Sequence, residues 1–320
     1  MKRAKLLLLV LVLLLVACGG STATTTKSTV PQVTATPAPI LDAYGKPVIF
    51  PTSPPQRIVS LTAADSEILA ALGLTNRTVG VDSYTDYPAA MAAKPKVTDA
   101  SGNANIEFIV SLKPDLILSY GGETRTADLK LESLGFHVAD LPVANLTGSI
   151  EEILTIGRLT FTEPQAEKLV NALFAQINAI KAKAATIPAS QRVTVYMEAD
   201  YSTPGKPYVY GGGSFGDEMI RDAGGINIFG NDSANGGYPQ VSDEAVINAN
   251  PQVIILTEGI AYGGAPSDVY KRPNWGRIAA VQSHRVYAIE PDLIARPGPR
   301  IVEGLQEVAH DLYPSVFPNA

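Results

Sequence analysis

Along most of the chain, short apolar runs alternate with longer segments in which apolar residues recur every three or four positions. The short runs predict buried strands, and the three-to-four spacing predicts helices that bury one face. Predicted strands occupy residues 57–61, 78–82, 115–120, 137–141, 192–198, 253–256 and 285–289, and a hairpin is predicted at 42–51. Predicted helices occupy residues 65–74, 105–112, 126–135, 149–160, 163–186, 215–225, 243–250 and 299–312. Alternation with short connections indicates βαβ units and an α/β fold with mostly parallel sheets.

The chain contains two internal echoes. "NIEFIVSLKPDLILS" at residues 105–119 shares its skeleton with "SDEAVINANPQVIIL" at 242–256, since in each a glutamate precedes a proline by seven residues and an apolar run follows. "SEILAALG" at 66–73 is echoed in the same way by "DEMIRDAG" at 217–224. Two interpretations are open. Either the chain contains two similar lobes, or the echoes reflect only the regular succession of helices, turns and strands in an α/β chain. Two echoes together favour two Rossmann-like lobes.

A long amphipathic segment at residues 163–186 separates the two halves. Proline is tolerated in the first turn of a helix, where Pro164 falls, and the apolar face follows from there. That face consists of Leu169, Leu173, Ile177 and Ile180. A helix of this length spans about 33 Å, enough to join two lobes, although a long surface helix has the same pattern. We therefore predict an N-terminal lobe at 42–158, a connecting helix at 159–190 and a C-terminal lobe at 191–320.

The first 41 residues are predicted to lie outside the folded body. A basic start and an apolar run at residues 6–16, too short to span a bilayer, indicate an export signal at 1–17. The run ends in "LVAC", which resembles the lipobox of bacterial lipoproteins and implies lipidation of Cys18, the single cysteine. An ordinary secretory signal with an incidental cysteine is the alternative. Residues 18–41 are rich in Ser, Thr and Pro, which predicts a disordered tether.

Composition and charge narrow the possible functions. The 320 residues are 46% hydrophobic, enough for a substantial core. Removing the three basic residues of the signal leaves 22 basic against 31 acidic residues, a net charge of −9. An acidic exported body argues against nucleic acid as a partner and against a membrane-surface role for the folded part.

The sequence contains only weak evidence for a catalytic site or a metal site. "GGSFG" at residues 212–216 fits the nucleophile elbow of serine hydrolases, and Asp292 and His310 follow in hydrolase order. The alternative is a glycine-rich loop that opens a helix, with Ser214 near its N-cap. The three histidines show no metal-ligand spacing, and the chain has neither a P-loop nor a dinucleotide fingerprint after its first strand.

Tyrosines recur in loops at predicted strand ends. A tyrosine offers a flat apolar face and a polar tip, so several of them predict a cleft for a large, flat, partly polar ligand. Asp292 and Arg296 would add fixed polar contacts. The alternative is a set of packed surface tyrosines and a local Asp–Arg ion pair. The predicted ligand-binding residues are Tyr84, Tyr120, Tyr208, Tyr238, Asp292 and Arg296.

Together these motifs resemble the periplasmic binding proteins for iron complexes and vitamin B12, the class whose lobes are joined by a rigid helix. The resemblance rests on "RIVSLTAADSEILAALGL", "VGVDSYTDYP", "NIEFIVSLKPDLILSYGG", "YPQVSDEAVINANPQVIIL" and "RVYAIEPDLIARPGPR". It implies a monomeric, lipid-anchored protein outside the cytoplasm that is not an enzyme and has no cofactor. Its partners would be an ABC permease dimer with its ATPase, on which Glu107 and Glu244 would dock. A lipoprotein that senses or stores a ligand without a transporter is the alternative.

The resemblance is greatest to the members that bind vitamin B12, which implies cobalamin as the ligand. It places corrinoid contacts on Tyr84, Tyr120, Tyr238, Asp292 and Arg296. Tyr120 and Tyr238 stand where the family has tryptophan, and two further aromatic positions fall near Ser101 and Leu293. A ferric siderophore or haem therefore remains an alternative ligand. Trp275, the single tryptophan, is interpreted as structural.

Overall fold

A computed structural model describes residues 39–121, 124–143, 145–259 and 264–318. The predicted signal, Cys18 and nearly all of the predicted tether lie outside this part of the chain. The strands are β1 Ile58–Ser60, β2 Thr78–Val81, β3 Leu116–Tyr120, β4 Val138–Leu141, β5 Thr194–Asp200, β6 Tyr208–Val209, β7 Ile226–Asn227, β8 Val253–Leu256 and β9 Val286–Ala288. The first helices are α1 Ala63–Ala71, α2 Ala89–Ala92, α3 Ile106–Ser111, α4 Arg125–Ser133, α5 Leu146–Thr160 and α6 Glu163–Ala184. The others are α7 Phe215–Asp222, α8 Ala234–Gly237, α9 Asp243–Ala249, α10 Pro266–Val269, α11 Ala279–Gln282, α12 Pro291–Ala295 and α13 Ile301–Leu312.

The strands form two separate sheets, each the centre of one lobe. The first sheet has the order β2-β1-β3-β4 and is parallel throughout. The second has the order β6-β5-β8-β9, with β7 also on β5, and only β6 runs antiparallel. The central strands β1 and β8 are fully buried, as expected where helices cover both faces of a parallel sheet. We call the first sheet with α1–α5 the N-terminal lobe and the second sheet with α7–α13 the C-terminal lobe.

The two lobes repeat one another at three helix ends. In each lobe, three helices end in a residue with positive φ just before the chain enters the next strand. These residues are Gly73, Lys113 and Gly135 in the N-terminal lobe and Gly224, Asn250 and His284 in the C-terminal lobe. A left-handed residue satisfies the last carbonyls of a helix and turns the chain sharply. The echoes of the sequence are therefore equivalent structural units, which confirms the two-lobed fold.

Helix α6 packs against both lobes through a core that they share. Its buried positions follow a spacing of four and three residues: Ala166, Val170, Leu173, Ile177, Ile180 and Ala184. They belong to one cluster that also contains buried residues of α5 and of α13. Leu169, predicted on the buried face, is only half-buried. The connecting helix is thus continuous with the interior of both lobes.

Two local expectations differ from the structure. The hairpin predicted at residues 42–51 is a tight turn with one isolated bridge, between Leu41 and Pro47. Asp42 Oδ1 accepts from the N–H groups of Tyr44 at 2.9 Å and Lys46 at 2.7 Å, so the Asp side chain adds to the short backbone pairing that closes the turn. Helix α5 begins earlier than predicted because Asn145 caps it, accepting from Gly148 N–H at 2.8 Å.

Candidate functional site

A cavity of about 580 Å³ opens at the carboxyl ends of the strands of the N-terminal sheet. Leu61 follows β1, Asp82 follows β2 and Tyr120 ends β3, so the parallel sheet brings all three to one edge. The opposite wall comes from the C-terminal lobe, through α12 and the residues that follow it. The cavity therefore lies between the lobes and is within the size range of small-molecule sites.

Tyr84 forms the rim of this cavity and is held from two sides. Its N–H donates to Asp82 Oδ2 at 3.0 Å, and its hydroxyl donates to Ala100 O at 2.9 Å. Tyr84 is 57% exposed, so its side chain is accessible to a ligand. Burial raises the pKa of Asp82, although hydrogen bonds from Thr85 and from the Tyr84 N–H oppose the shift.

Tyr120 lies on the same side, half-buried at the end of β3. Beside it, Asp128 Oδ1 accepts from Ser119 Oγ at 2.8 Å, and Asp128 Oδ2 accepts from Thr124 Oγ1 at 3.1 Å. Thr124 also lines the cavity. A carboxylate thus holds the chain beside each tyrosine, Asp82 at Tyr84 and Asp128 at Ser119 next to Tyr120.

Asp292 and Arg296 supply charge from the opposite wall. They are one helical turn apart and form an ion pair at 2.7 Å. Arg296 Nη1 also pairs with Glu67 Oε1 at 3.0 Å and with Asp86 Oδ1 at 2.8 Å. Burial acts to lower the pKa of Arg296, but hydrogen bonds to Asp86 and Glu67 outweigh it and raise the pKa. Burial raises the pKa of Asp292, and the charge of Arg296 limits that rise.

Glu67 and Arg300 belong to the same network, and sequence reasoning did not identify them as site residues. Glu67 is buried in α1 and accepts from Arg300 Nε at 3.0 Å and Nη2 at 2.7 Å. The Arg300 guanidinium also stacks over the ring of Tyr87 at 4.1 Å. Glu67 and Arg300 are 233 positions apart, so the one available signal was the place of Glu67 in an internal echo.

Four of the six predicted ligand-binding residues line the cavity: Tyr84, Tyr120, Asp292 and Arg296. Tyr208 and Tyr238 do not line it. Tyr208 is exposed on the edge strand β6, and the ring of Tyr238 packs at 5.3 Å from Tyr210. Ser101 does line the cavity, whereas Leu293 is buried in the shared core.

Trp275 is fully buried in the C-terminal lobe, as a structural residue should be. Its ring lies 4.5 Å from the Arg272 guanidinium, which is itself paired in a fork to Glu198 with both contacts at 2.6 Å. Glu258 lies beside this pair, and burial raises its pKa to about 8. This polar network stands at the carboxyl ends of β5 and β8, the edge that corresponds to the cavity edge of the first sheet.

Glu107 and Glu244 occupy equivalent surface positions. Each is the second residue of a short helix, and both helices are capped by the preceding side chain, Asn105 in α3 and Ser242 in α9. Both glutamates are exposed and make no hydrogen bond or ion pair within the described ranges. A carboxylate in the first turn also suits the helix dipole.

Ser214 is the N-cap of α7 and is buried. Its hydroxyl donates to Gly211 O at 2.7 Å and accepts from Asp217 N–H at 3.2 Å. Asp292 is paired with Arg296, and His310 contacts the Phe317 carbonyl at 2.7 Å. Across the described ranges these three residues make no contact with one another, so the helix-cap interpretation of "GGSFG" matches the structure.

The described ranges offer neither a cluster of metal ligands nor a membrane-spanning helix. They contain no group of three or more His, Cys, Asp or Glu side chains placed to hold a metal ion. Within the same ranges, no helix combines the length and apolarity needed to cross a membrane.

Comparison with known proteins places the chain in a family. Residues 58–293 match the family described as periplasmic binding protein, so the chain belongs to that family. It is accordingly of the class of solute-binding proteins that serve ABC importers. One relative, 34% identical over 88% of this chain and 87% of its own, is an uncharacterized ABC transporter substrate-binding lipoprotein, YvrC, of Bacillus subtilis.

Two solved structures share the fold. The periplasmic vitamin B12-binding protein BtuF of Vibrio cholerae is 27% identical, with a TM-score of 0.67 over 81% of this chain and 97% of its own. The periplasmic heme-binding protein RhuT of Roseiflexus sp. RS-1 is 25% identical, with a TM-score of 0.71 over 82% of this chain and 99% of its own. The fold is thus shared by proteins that bind different ligands.

Proposed function

We propose that the protein captures a corrinoid in the interlobe cavity and delivers it to an ABC importer. The observation that carries the proposal is the convergence of Tyr84, Tyr120, Asp292 and Arg296 on one cavity. These are four of the positions at which the resemblance to vitamin B12-binding members implies corrinoid contacts. The similarity to a vitamin B12-binding protein over 81% of the chain supports the same ligand.

The charges of the cavity favour a corrinoid over haem. Arg296 is the one basic residue among the described residues that line it, and three carboxylates already pair with it. The two propionates of haem would meet no uncompensated positive charge there, and burying unpaired charge is costly. The periphery of cobalamin carries mainly neutral carboxamides, which would add no negative charge to a cavity that already contains Asp82 and Asp292.

Haem is the second candidate, because a heme-binding protein has a TM-score of 0.71 against this chain. The deciding experiment is titration of the full-length protein with cyanocobalamin, with haem in parallel, by quenching of Trp275 fluorescence and by calorimetry. Saturable binding of cyanocobalamin alone supports the proposal. Binding of haem with no response to cyanocobalamin would replace it with the second candidate.

Replacing Tyr84 tests the site itself. Tyr84→Ala removes the exposed ring at the rim, and a buried aromatic contact is worth roughly 1–2 kcal/mol, so cyanocobalamin should bind about ten times more weakly. Tyr270→Ala is the matched control, since Tyr270 is 41% exposed in the C-terminal lobe and does not line the cavity. Equal affinities of the two variants would remove Tyr84 from the site.

The remaining parts of the proposal concern partners. Cys18 is the proposed lipid attachment site, which would hold a monomeric binding protein at the outer face of the cell membrane through the tether. Glu107 and Glu244 are the proposed contacts to the two subunits of a permease, which an ATPase drives. Their equivalent positions on two similar lobes suit a partner with twofold symmetry.

A further inference from the structure

Two glutamates at equivalent positions of the repeat reach from one lobe to the other. Glu67 in α1 and Glu218 in α7 each lie six residues before the left-handed glycine that ends its unit, Gly73 or Gly224. Glu67 contacts residues that follow β9 of the C-terminal lobe. Glu218 contacts the start of α5, which follows β4 of the N-terminal lobe. The two contacts are therefore related by the same repeat as the lobes.

The Glu67 contact is charged and buried. Glu67 is 4% exposed and accepts three hydrogen bonds of 3.0 Å or less from Arg296 and Arg300. Charge-assisted hydrogen bonds of this kind are stronger than neutral ones. In the described ranges, every ion pair between the lobes ends on Arg296 or Arg300.

Glu218 contacts the N-terminus of helix α5, where Glu67 contacts arginines. Glu218 Oε2 accepts from the N–H of Leu146 at 2.9 Å, the first residue of α5. Asn145 already satisfies the N–H of Gly148, so the two side chains share the free donors of this terminus. A carboxylate there is also stabilised by the helix dipole.

We propose that Glu67 and Glu218 are interlobe braces, one from each lobe, that hold the lobes in the arrangement that forms the cavity. Glu67 is in addition a positioning residue, because it holds the guanidinium of Arg296 in the cavity wall. This inference rests on the proposed function only for the role of Arg296 toward a ligand. The bracing itself can be tested without a ligand, because both contacts join residues of this chain.

The first test needs no ligand. Amide hydrogen exchange is measured on the full chain and on Glu67→Gln, Glu218→Gln and Glu167→Gln, the last being an exposed glutamate on α6 without a partner in the described ranges. Glu67→Gln should increase exchange in residues 82–88 and 291–300, and Glu218→Gln in residues 145–149. The Glu67 effect should be larger, since Glu67 accepts three hydrogen bonds from two arginines, whereas Glu218 accepts one at 2.9 Å and a second at 3.5 Å from Thr147 Oγ1. Exchange equal to that of Glu167→Gln, or raised uniformly over the chain, would overturn the proposal.

The second test separates positioning from simple loss of stability. If braces limit opening of the cavity, Glu67→Gln should raise the association rate of cyanocobalamin by about tenfold for the loss of one charge-assisted hydrogen bond. If Glu67 also positions Arg296, the dissociation rate should rise by more than the association rate, so that the affinity falls. Simple destabilisation would reduce the active fraction and leave both rates per active molecule unchanged, which would refute the bracing and the positioning role. If the wild-type chain fails to bind cyanocobalamin, the proposed ligand is wrong, and the exchange test still decides on the braces. Should Glu67→Gln fail to fold, hydrogen exchange of Glu218→Gln still tests whether these glutamates brace the lobes.

Discussion

Asp65 and Glu152 are buried carboxyl groups in the N-terminal lobe whose oxygens have no hydrogen-bond partner in the described ranges. Burial is the main cause that raises the pKa of both groups well above the usual range, and the charge of Asp140 adds to it. The folded state therefore binds protons more tightly at these sites than the unfolded state. Proton binding and folding are thermodynamically linked. The contribution of Asp65 and Glu152 to the free energy of unfolding therefore falls as the pH rises from the pKa of the unfolded state, near 4, through the pKa of the folded state.

Glu152→Gln tests this sign. Gln cannot ionise, so the variant should gain about 1–3 kcal/mol of unfolding free energy relative to wild type at pH 8 and little at pH 4. Urea unfolding at the two pH values measures the difference. Glu151→Gln, an exposed neighbour on the same helix, is the control and should show no such trend. A gain of the same size at both pH values would contradict the assignment.

At the scale of elements, each lobe depends on helices that end in left-handed residues. Gly73 and Gly224 end equivalent units with φ of +78° and +85°. Their surroundings differ, because a Cβ on Gly73 would meet open space, whereas one on Gly224 would lie 3.3 Å from Ala184 Cβ and 3.4 Å from Ile187 Cδ1. An added Cβ would therefore strain the backbone at both glycines, but only at Gly224 would it also press against neighbouring side chains.

Gly73→Ala and Gly224→Ala form a matched pair of variants. Each should lose about 1–2 kcal/mol of unfolding free energy from the left-handed backbone alone. Gly224→Ala should lose more, because the added methyl also presses on α6 in a densely packed core. Chemical denaturation of both variants measures the ranking. A larger loss for Gly73→Ala would show that the crowding at α6 carries no cost.

At the scale of the whole molecule, α6 and the shared core make the lobes a stiff pair. The buried face of α6 is continuous with the interior of both lobes, so wide opening would expose apolar surface. We expect the radius of gyration of the full-length protein to change by less than about 1 Å on saturation with cyanocobalamin. Small-angle scattering, with occupancy checked by titration of the same sample, provides the measurement. A change of several ångströms would indicate a hinge that the shared core does not allow.

Docking on a permease is also a property of the whole molecule, because it would use one glutamate from each lobe. Glu107→Ala combined with Glu244→Ala removes two exposed side chains without partners in the described ranges, so stability should change by no more than about 0.5 kcal/mol. Cobalamin uptake by cells that carry the cognate permease should nevertheless be lost. The control is Glu151→Ala with Glu167→Ala, which removes the same charge from α5 and α6. Uptake that survives in the first pair would exclude the docking role.

Local chemistry was readable from the sequence. The period of apolar residues and the two echoes are local patterns, so they predicted the strands, most helices, the long α6 and the two lobes. The tyrosines near strand ends were readable for the same reason, since parallel strands deliver their carboxyl ends to one edge. Tyr84 and Tyr120 accordingly line the cavity, and so do Asp292 on α12 and Arg296 directly after it.

Contacts between distant segments were decided by the tertiary structure alone. No local pattern couples Glu67 to Arg300 across 233 positions, or Glu218 to the start of α5 across 72. Nor did the pattern show that Tyr208 and Tyr238 would stay outside the cavity, because their position depends on how the second sheet and its edge strand pack. The sequence by itself thus determined the elements and their repeat, whose energetics are local. The cavity wall and its braces arise only when the shared core brings the lobes together.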